Sequence, residues 1–422
     1  MVQLTHSNSR LLIILLAMGF SVFTPEIGIP QETPAQETPA IEPQSIEEAD
    51  LPAAEVSRLA RNPERVILDI LAYQEKTQPS HKRDWNWEDA IYLHSIGLVG
   101  ETTDHPLIRK EIIESLSTFA NTWASKKKLP KITMGDRCPA VLSILSLRRL
   151  LEKDGQGVDP DRYAKLIQVV SDYLKNSPRN QLGALDHLGK SWFRSFYPDS
   201  IWVDSLVMTG VTSVWLGQYA NDPELIEFGA AQPEIYASVL QDPGFQLFRH
   251  AWFVNRERPF PKSETFWLRG NGWVVWSMVE LLERLPLDHP KRPGIQQVLN
   301  TLSAALLKYQ KPSGRWDTIA NLPGYAYEET SGTAIIASHW LKAVRLGLLP
   351  EWPYRAAALK AWEGVVAKLH SEKEGLSVRG ISGPTNPSGR LAYKWILKKK
   401  DAAYGVGPVL LLAEEVRLSQ KK

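Results

Sequence analysis

Residues 265–273 read TFWLRGNGW and lead directly into an apolar segment at helical spacing that continues to Pro286. The stretch gathers two tryptophans, one arginine and one asparagine around two glycines, and glycine permits a close approach of the backbone to a ligand. A helix start also presents free backbone N–H groups, and tryptophan and arginine side chains stack on sugar rings and pair with carboxylates. A helix-entry turn with core tryptophans explains any single tryptophan equally well. The whole cluster favours a ligand site at the entrance to a buried helix.

Twelve apolar segments at helical spacing follow one another from about residue 53 onward, and breaks rich in glycine and proline separate them. Two connections, 177–203 and 242–270, are long for a compact domain, and loops of that length are usually functional or contain short strands. We predict an all-α fold, an (α/α)6 barrel of six helical hairpins with long loops over one mouth. An open helical solenoid is the alternative, and the absence of a regular short repeat disfavours it. The predicted segments are 54–76, 86–100, 105–127, 137–153, 161–176, 204–220, 223–241, 271–285, 293–310, 330–347, 351–371 and 402–418.

Composition limits the function classes. The chain has 422 residues, of which 43% are hydrophobic, and its formal net charge is only +2, so nucleic-acid binding has no electrostatic support. Fifteen tryptophans are an unusually large number, and they suit either a carbohydrate cleft or a core built from large aromatics. The single cysteine, Cys138, rules out an intramolecular disulfide and a cysteine-based zinc site.

The N-terminal region differs in composition from the rest. An apolar run at 11–23 follows Arg10, and it is too short for a membrane span but suits the core of a signal peptide. We predict a signal peptide or N-terminal anchor at 1–24. The next segment, 25–52, is rich in Pro, Glu, Gln and Thr and contains the repeat QETPAQETPA, which indicates a disordered tether. The barrel domain is then 53–422, and we expect an exported protein that is periplasmic, extracellular or anchored to a membrane.

Two aspartates at predicted helix starts are the candidate catalytic residues. Asp204 lies in IWVDSLVM at 201–208, beside Trp202, and Asp136 lies in MGDRCPA at 134–140. An aspartate that opens a helix is most often a simple N-cap. A neighbouring aromatic ring, however, desolvates a carboxyl group and raises its pKa, as a general acid near neutral pH requires.

Other polar residues stand at similar positions. His187 and His250 lie in the two long connections, where a lone histidine is commonly structural. Thr330 and Ser331 follow Glu329 at another helix start, and their hydroxyls suit either a helix cap or a hydrogen bond to a ligand carboxylate. The sequence contains no P-loop, dinucleotide-binding fingerprint, HExxH or GxSxG motif.

The chain resembles the unsaturated rhamnogalacturonyl hydrolases of glycoside hydrolase family 105, which are related to the unsaturated glucuronyl hydrolases of family 88. The resemblance rests on WxRGNGW at 267–273, IWVDSLVM at 201–208 and ETSGTA at 329–334, with weaker support from GxxDH at 183–187 and DAAYGVGP at 401–408. It implies an (α/α)6 barrel that removes a 4,5-unsaturated uronic acid from lyase-generated oligosaccharides. The reaction in such enzymes is a hydration of the C4=C5 bond, and no metal or organic cofactor is implied.

The resemblance also implies roles for individual residues. Asp204 corresponds to the general acid, which then helps to activate water, and Asp136 to a second essential aspartate that holds ring hydroxyls and raises the pKa of its partner. Thr330 and Ser331 remain candidate ligand contacts from the reading of the sequence. The other implied positions are His187, Met208 and His250 as pocket lining, Trp267 and Trp273 as a stacking surface, Arg269 as a carboxylate clamp, and Asn271 as a contact to hydroxyl groups.

Two further hypotheses remain open at the level of the sequence. The first is a conventional two-carboxylate glycosidase on the same barrel. The second is a non-catalytic carbohydrate-binding protein, although its retention of Asp204 and Asp136 argues against this. The expected partner is an oligosaccharide with an unsaturated uronic acid, and the sequence indicates no protein partner.

Overall fold

The computed structural model describes residues 50–157, 159 and 161–421. The predicted signal peptide or anchor at 1–24 and the predicted tether up to residue 49 lie outside the described residues. No helix within the described part of the chain is long and apolar enough to cross a membrane.

The last residues of the predicted tether are attached to the barrel. The Leu51 N–H donates to the Ala367 carbonyl oxygen at 2.9 Å. Asp50 pairs with Arg315 at 2.8 Å and with Lys368 at 2.6 Å. The chain is therefore fixed to the body from Asp50 onward.

Alternating outer and inner helices form the described chain. The outer helices are α2, α4, α6, α8, α10 and α12, and each pairs with an inner helix that follows it, the last pair being α12 and α14. In chain order the helices are α1 Ala53–Ala60, α2 Pro63–Thr77, α3 Trp87–Thr102, α4 Pro106–Ala124, α5 Ala140–Lys153, α6 Ala164–Asn176, α7 Thr212–Ala220, α8 Pro223–Leu240, α9 Leu268–Arg284, α10 Arg292–Leu307, α11 Thr330–Arg345, α12 Glu351–Val366, α13 Arg390–Lys394 and α14 Ala403–Gln420.

The inner helices close a ring. Their packing order is α3, α5, α7, α9, α11 and α14, and α14 packs against α3. Every residue of α9 from Leu268 to Leu282 is buried, as expected for a helix with neighbours on all sides. By contrast, α6 buries only one face. These features confirm the predicted (α/α)6 barrel of six helical hairpins.

The long connections all lie at one end of the barrel. The six inner helices run in the same direction, and each one before α14 is entered by a segment longer than the connection that follows it, such as 103–105 or 221–222. The N-termini of the inner helices and the entering segments therefore meet at one mouth, as predicted. The entering segments are 78–86, 125–139, 177–205, 241–267, 308–329 and 367–402.

Four of these entering segments contain short strands. Strand β1 Ser200–Trp202 pairs antiparallel with β2 Ala251–Phe253, and β2 pairs with β3 Arg258–Phe260. The small sheet joins the two connections that the sequence identified as unusually long. The remaining strands are β4 Trp316–Asp317, β5 Glu328–Glu329, β6 Leu369–Glu372, β7 Gly375–Val378, β8 Ile381–Ser382 and β9 Lys398–Lys399.

Helix α12, the eleventh of the twelve predicted helices, is shorter than predicted at its C-terminal end. The prediction ran to residue 371, but α12 ends at Val366 and a β-hairpin of β6 and β7 follows. Gly375 at the turn has a φ of 140°, and an added Cβ would lie 2.1 Å from the Asp69 carbonyl oxygen. Only glycine fits this backbone conformation and close approach, so the hairpin replaces a longer helix.

The end of the barrel opposite the mouth is filled by buried charges. The Lys342 ammonium hydrogen-bonds to Glu280 and lies 2.7 Å from Glu283. Glu280 also lies 3.6 Å from Arg284 and 3.9 Å from His94. Charges removed from water at such a depth are stable only as a paired network.

Candidate active site

Asp136 and Asp204 stand at neighbouring helix starts in the mouth. Asp136 lies in a 3-10 turn, Gly135–Arg137, just before α5. Asp204 directly precedes a π-helical turn, Leu206–Val211, that leads into α7. Asp204 is the only residue between Ser200 and Gly217 that is not fully buried, so a packed segment presents this carboxyl group to the opening.

Each aspartate faces a buried histidine. The Nε2 atom of His187 lies 3.4 Å from Asp136 Oδ1, and the Nε2 atom of His250 lies 3.3 Å from Asp204 Oδ2. The other ring nitrogen of His187 contacts the Ser205 hydroxyl at 2.8 Å. Two parallel aspartate–histidine pairs therefore form the floor of the mouth.

The Asp136 carboxyl group is protonated at neutral pH. Burial, and then the negative charge of Asp204, raise its pKa to about 8, although Arg137 acts in the opposite direction. A second ionised carboxylate close by disfavours ionisation of the first. At neutral pH Asp136 therefore carries a proton beside the negative charge of Asp204.

The structure contradicts the prediction that Asp204 stays protonated. Burial tends to raise the pKa of the Asp204 carboxyl, but His250, whose Nε2 lies 3.3 Å from Oδ2, and His187 lower it overall. Burial is also the main cause of the lowered pKa values of His187 and His250, so both histidines are neutral near pH 7. The aromatic neighbour Trp202 does not decide the state of Asp204, because the histidines face the carboxylate directly.

Two tryptophans support the histidines. The Trp202 ring stacks on His187 with centroids 4.2 Å apart, and the Trp267 ring stacks on His250 with centroids 4.4 Å apart. Trp267 is almost fully buried, so it fixes the histidine from behind and does not present a free stacking face. The short chain of contacts from Asp204 through His250 to Trp267 confirms that the 201–208 and 267–273 motifs meet at the mouth.

Arg269 is placed differently from the prediction. Its guanidinium is fully buried and donates to the Ser382 carbonyl oxygen and the Gly383 carbonyl oxygen, both at 2.8 Å, and to the Ser382 hydroxyl. It lies between the rings of Trp267 and Tyr404, 4.8 and 4.7 Å from their centroids. Its two terminal NH2 groups thus bind residues 382 and 383, and the structure does not bring Arg269 to the mouth as a carboxylate clamp.

Other residues of the two helix-entry motifs are likewise part of the scaffold. The Asn271 amide exchanges hydrogen bonds with the Phe248 backbone, at 2.8 and 3.1 Å, and so fixes the loop that carries His250. Trp273 is fully buried and packs against Trp276. These two side chains therefore do not contact a ligand as predicted, because neighbouring backbone and core groups already occupy them.

Thr330, Ser331 and Met208 are also buried. The Thr330 hydroxyl donates to the Arg379 carbonyl oxygen at 2.8 Å, and the Ser331 hydroxyl donates to Glu329, whose carboxylate caps α11. Neither hydroxyl caps the helix, because Glu329 does so, and both hydroxyls are already bonded to protein groups. Met208 lies one turn into the π-helix, behind Asp204.

Three aromatic residues at the mouth were absent from the predicted set. Tyr393 contacts His250, Trp202 supports His187, and Tyr404 packs on Trp87 with ring centroids 4.7 Å apart. Trp202 and Tyr404 stand just before or within the start of an inner helix, whereas Tyr393 lies in the short helix α13 within the last entering segment. These positions alone do not show which way a side chain points, so the contacts could not be predicted. Among the described residues, no group of three or more histidine, cysteine, aspartate or glutamate side chains is arranged to hold a metal ion.

Known proteins resemble the chain over most of its length. Residues 65–419 match the family model of Glycosyl Hydrolase Family 88. The unsaturated rhamnogalacturonyl hydrolase YesR of Bacillus subtilis (strain 168) is 25% identical over 339 residues, which are 80% of this chain and 91% of that protein. An unsaturated 3S-rhamnoglycuronyl hydrolase of Alteromonas sp. (strain LOR) is 24% identical over 52% of each chain.

Solved structures share the fold. A glycoside hydrolase from family 105 of C. acetobutylicum ATCC 824 superimposes with a TM-score of 0.70 at 24% identity, over 85% of this chain and 99% of that chain. At this identity the likeness establishes the architecture, and the arrangement of the mouth must be argued from the residues of this chain.

Proposed function

Because the chain belongs to glycosyl hydrolase family 88 and is a glycoside hydrolase, we propose that it removes a 4,5-unsaturated uronic acid from the non-reducing end of oligosaccharides produced by a polysaccharide lyase. The observation that carries this proposal is the Asp136–Asp204 pair at the floor of the mouth. One member is protonated and the other is ionised at neutral pH. A proton donor and a proton acceptor are thus available side by side.

The proposed reaction uses this pair as both acid and base. The pair donates its proton to C4 of the enol ether, and positive charge develops at C5, which is bonded to the ring oxygen. Water adds at C5 and gives a proton back to the ionised carboxylate, so the pair ends with one proton, as it began. The resulting hemiketal opens to a ketone at C5, and C1, now a hemiacetal, releases the remaining sugar chain.

The mouth also suits an anionic substrate. All six inner helices direct their N-termini towards it, and the positive ends of helix dipoles favour a negative ligand. Side chains cap α3 and α11, through Asn86 and Glu329, but α5, α9 and α14 begin without a side-chain cap. Backbone N–H groups at these helix starts thus take the place of the predicted arginine clamp in binding the substrate carboxylate.

The relatives guide the choice of substrate. One relative, matched over 91% of its length, is an unsaturated rhamnogalacturonyl hydrolase, and another, matched over 52% of its length, is an unsaturated 3S-rhamnoglycuronyl hydrolase. We therefore place rhamnose next to the unsaturated uronic acid. Of the unsaturated disaccharides, we expect galacturonyl-rhamnose to be the better substrate.

The test follows the ultraviolet absorbance of the conjugated C4=C5 bond during incubation with unsaturated disaccharides that differ in the second sugar. Wild-type protein is expected to bleach unsaturated galacturonyl-rhamnose. Asp136→Asn and Asp204→Asn should each slow bleaching by at least about 100-fold, as for the loss of a general acid or base. Asp172→Asn, a change at an exposed position on outer helix α6, is the matched control and should leave the rate unchanged.

Other outcomes would contradict the proposal. Release of reducing sugar from saturated oligosaccharides, with no bleaching of unsaturated ones, would identify a conventional two-carboxylate glycosidase. Sugar binding in calorimetry without turnover, unchanged in both Asp→Asn variants, would identify a carbohydrate-binding protein.

We propose further that the chain is exported and that residues 25–49 form a tether. The apolar run at 11–23 and the composition of the following segment support this. N-terminal sequencing of the protein from its native host is the test. An intact N-terminus in a cytoplasmic fraction would contradict export.

A further inference from the structure

Tyr393 reaches the active site from the last entering segment, 367–402. Its side chain is fully buried, and its hydroxyl lies 2.7 Å from the Nδ1 atom of His250. The two rings are stacked with centroids 6.0 Å apart. A residue about 140 positions further along the chain therefore contacts the histidine that faces Asp204.

The direction of this hydrogen bond follows from a third group. The Ser388 backbone N–H donates to the Tyr393 hydroxyl oxygen at 3.2 Å. The hydroxyl oxygen thus accepts from the backbone, and its own proton is free to be donated to Nδ1 of His250. A neutral imidazole that accepts at Nδ1 carries its proton at Nε2.

The opposite side of the histidine agrees with this assignment. Nε2 of His250 lies 3.3 Å from Asp204 Oδ2. The other tautomer would place a nitrogen lone pair against the carboxylate oxygen, which is repulsive. Stacking on Trp267 holds the plane of the imidazole ring. The neighbouring groups must then determine whether the ring proton is on Nδ1 or on Nε2.

We propose that Tyr393 is a positioning residue that fixes His250 as the Nε2–H tautomer and so directs that N–H at Asp204 Oδ2. Oδ2 and His250 Nε2 are both buried, lie 3.3 Å apart and make no hydrogen bond to any other described residue, so Oδ1 is left as the carboxylate oxygen that reaches a ligand. The structural part of this proposal is independent of the reaction, and its effect on turnover rests on the proposed function.

The direct test is nitrogen-15 NMR of full-length protein labelled at histidine, near neutral pH and without substrate. The His250 resonances are assigned by their loss in His250→Gln. In the wild type, Nδ1 should have the shift of an unprotonated nitrogen and Nε2 that of a protonated one. In Tyr393→Phe, which keeps the ring and removes only the hydroxyl, the two shifts should move towards each other as the tautomers mix.

Tyr163→Phe is the matched control, because it also removes one tyrosine hydroxyl, which hydrogen-bonds to Asn121 at 2.8 Å on the outer helices. It should leave the His250 shifts unchanged. The kinetic readout is bleaching of the unsaturated disaccharide. Tyr393→Phe should lower kcat about 10- to 100-fold, the usual effect of removing the partner that orients a functional histidine, with little change in KM.

The outcomes separate this inference from the proposed function. Identical His250 shifts in wild type and Tyr393→Phe, or a protonated Nδ1 in the wild type, would overturn it whether or not the protein bleaches any substrate. The expected shifts in a protein that bleaches none of the disaccharides would support the positioning role and contradict the proposed function. A changed KM with an unchanged kcat would also contradict the positioning role.

Discussion

Asp136 and Asp204 both stand at helix starts, yet they hold different protonation states. Asp136 is buried beside the charge of Asp204 and keeps its proton, whereas Asp204 faces His250 and His187 and loses it. The sequence indicated both residues as candidate catalytic groups, because each stands at a predicted helix start. It could not rank their pKa values, because these depend on neighbours from other parts of the chain. His250, for example, lies more than 45 residues after Asp204.

The raised pKa of Asp136 predicts a cost in stability that depends on pH. An unfolded aspartate loses its proton near pH 4, but folded Asp136 loses it near pH 8. Between these values the folded state binds more protons than the unfolded state, so the free energy of unfolding falls as pH rises. Asp136→Asn removes this titration. Chemical denaturation should therefore show the variant increasingly more stable than the wild type from pH 4 to pH 8, although it is inactive.

A constant difference between wild type and Asp136→Asn across this range would show that Asp136 is ionised in the folded protein at neutral pH. Below pH 4 the two proteins should differ least, because the aspartic acid is then neutral in both the folded and unfolded states. Asp172→Asn again serves as the control at an exposed position.

Arg269 shows the limit of a motif at the scale of one residue. Its place in WxRGNGW and its neighbouring tryptophans suited a carboxylate clamp, but its partners Ser382 and Gly383 lie more than 110 residues further along the chain. Burial and partner choice depend on that distant segment. Asn271 and Trp273 are held by nearer groups, the Phe248 backbone and the Trp276 ring.

Arg269→Lys tests this assignment. Lysine cannot reproduce the planar set of donors that holds the two carbonyl oxygens, so the variant should lose about 3 kcal/mol of unfolding free energy, as expected for lost bonds from a charged donor. The measurement is denaturant unfolding together with KM. An unchanged stability with a strongly raised KM would instead establish Arg269 as a substrate clamp.

At the scale of elements, the segment 186–200 carries His187 and is closed by one side chain. Asp186 Oδ1 accepts from the Leu188 and Gly189 N–H groups, each at 2.9 Å, and Oδ2 accepts from the Ser200 N–H at 3.0 Å. Both ends of the loop are therefore held by a single carboxylate, next to the aspartate–histidine pairs.

Asp186→Ala should open this loop. The loss of three hydrogen bonds, each contributing about 1 kcal/mol, predicts a decrease of about 2 to 3 kcal/mol in the free energy of unfolding, and kcat should fall because His187 loses its fixed position. Asp288→Ala, at an exposed position between α9 and α10, should change neither quantity. A stable Asp186→Ala protein with full activity would show that the loop is held by other contacts.

The sequence predicted elements best where helical periodicity was long. The six inner helices were indicated by their spacing, and the two long connections, 177–203 and 242–270, by their length. The region after α12 was not, because its hairpin depends on the close contact of Gly375 with the Asp69 backbone. The segment 367–402, which supplies Tyr393 and holds Arg269, was also missed, because its short strands leave little periodic signal.

At the scale of the whole molecule, the closed end of the barrel depends on charges with no role in the mouth. Five charged or titratable side chains meet in the C-terminal halves of the inner helices α3, α9 and α11. They are Lys342, Glu280, Glu283, Arg284 and His94. Such a network does little for stability as a whole, but removal of one partner leaves another charge buried.

Lys342→Met should therefore destabilise the protein by about 3 kcal/mol, because the Glu280 carboxylate loses its nearest cation. The double variant Lys342→Met/Glu280→Gln should recover most of that loss, as measured by denaturant unfolding. Lys308→Met, at an exposed position after α10, is the control. Equal losses in the single and double variants would show that packing rather than charge pairing fixes this end.

The proton that the Asp136–Asp204 pair transfers to C4 can be followed directly by proton NMR in D2O. Wild-type protein is incubated with unsaturated galacturonyl-rhamnose, with free product in D2O as the control for slow exchange. The account predicts one deuterium on a single face of C4 in the released uronate, appearing at the rate of bleaching and absent with Asp136→Asn. Release of rhamnose from a uronate that retains its C4=C5 bond would contradict the account.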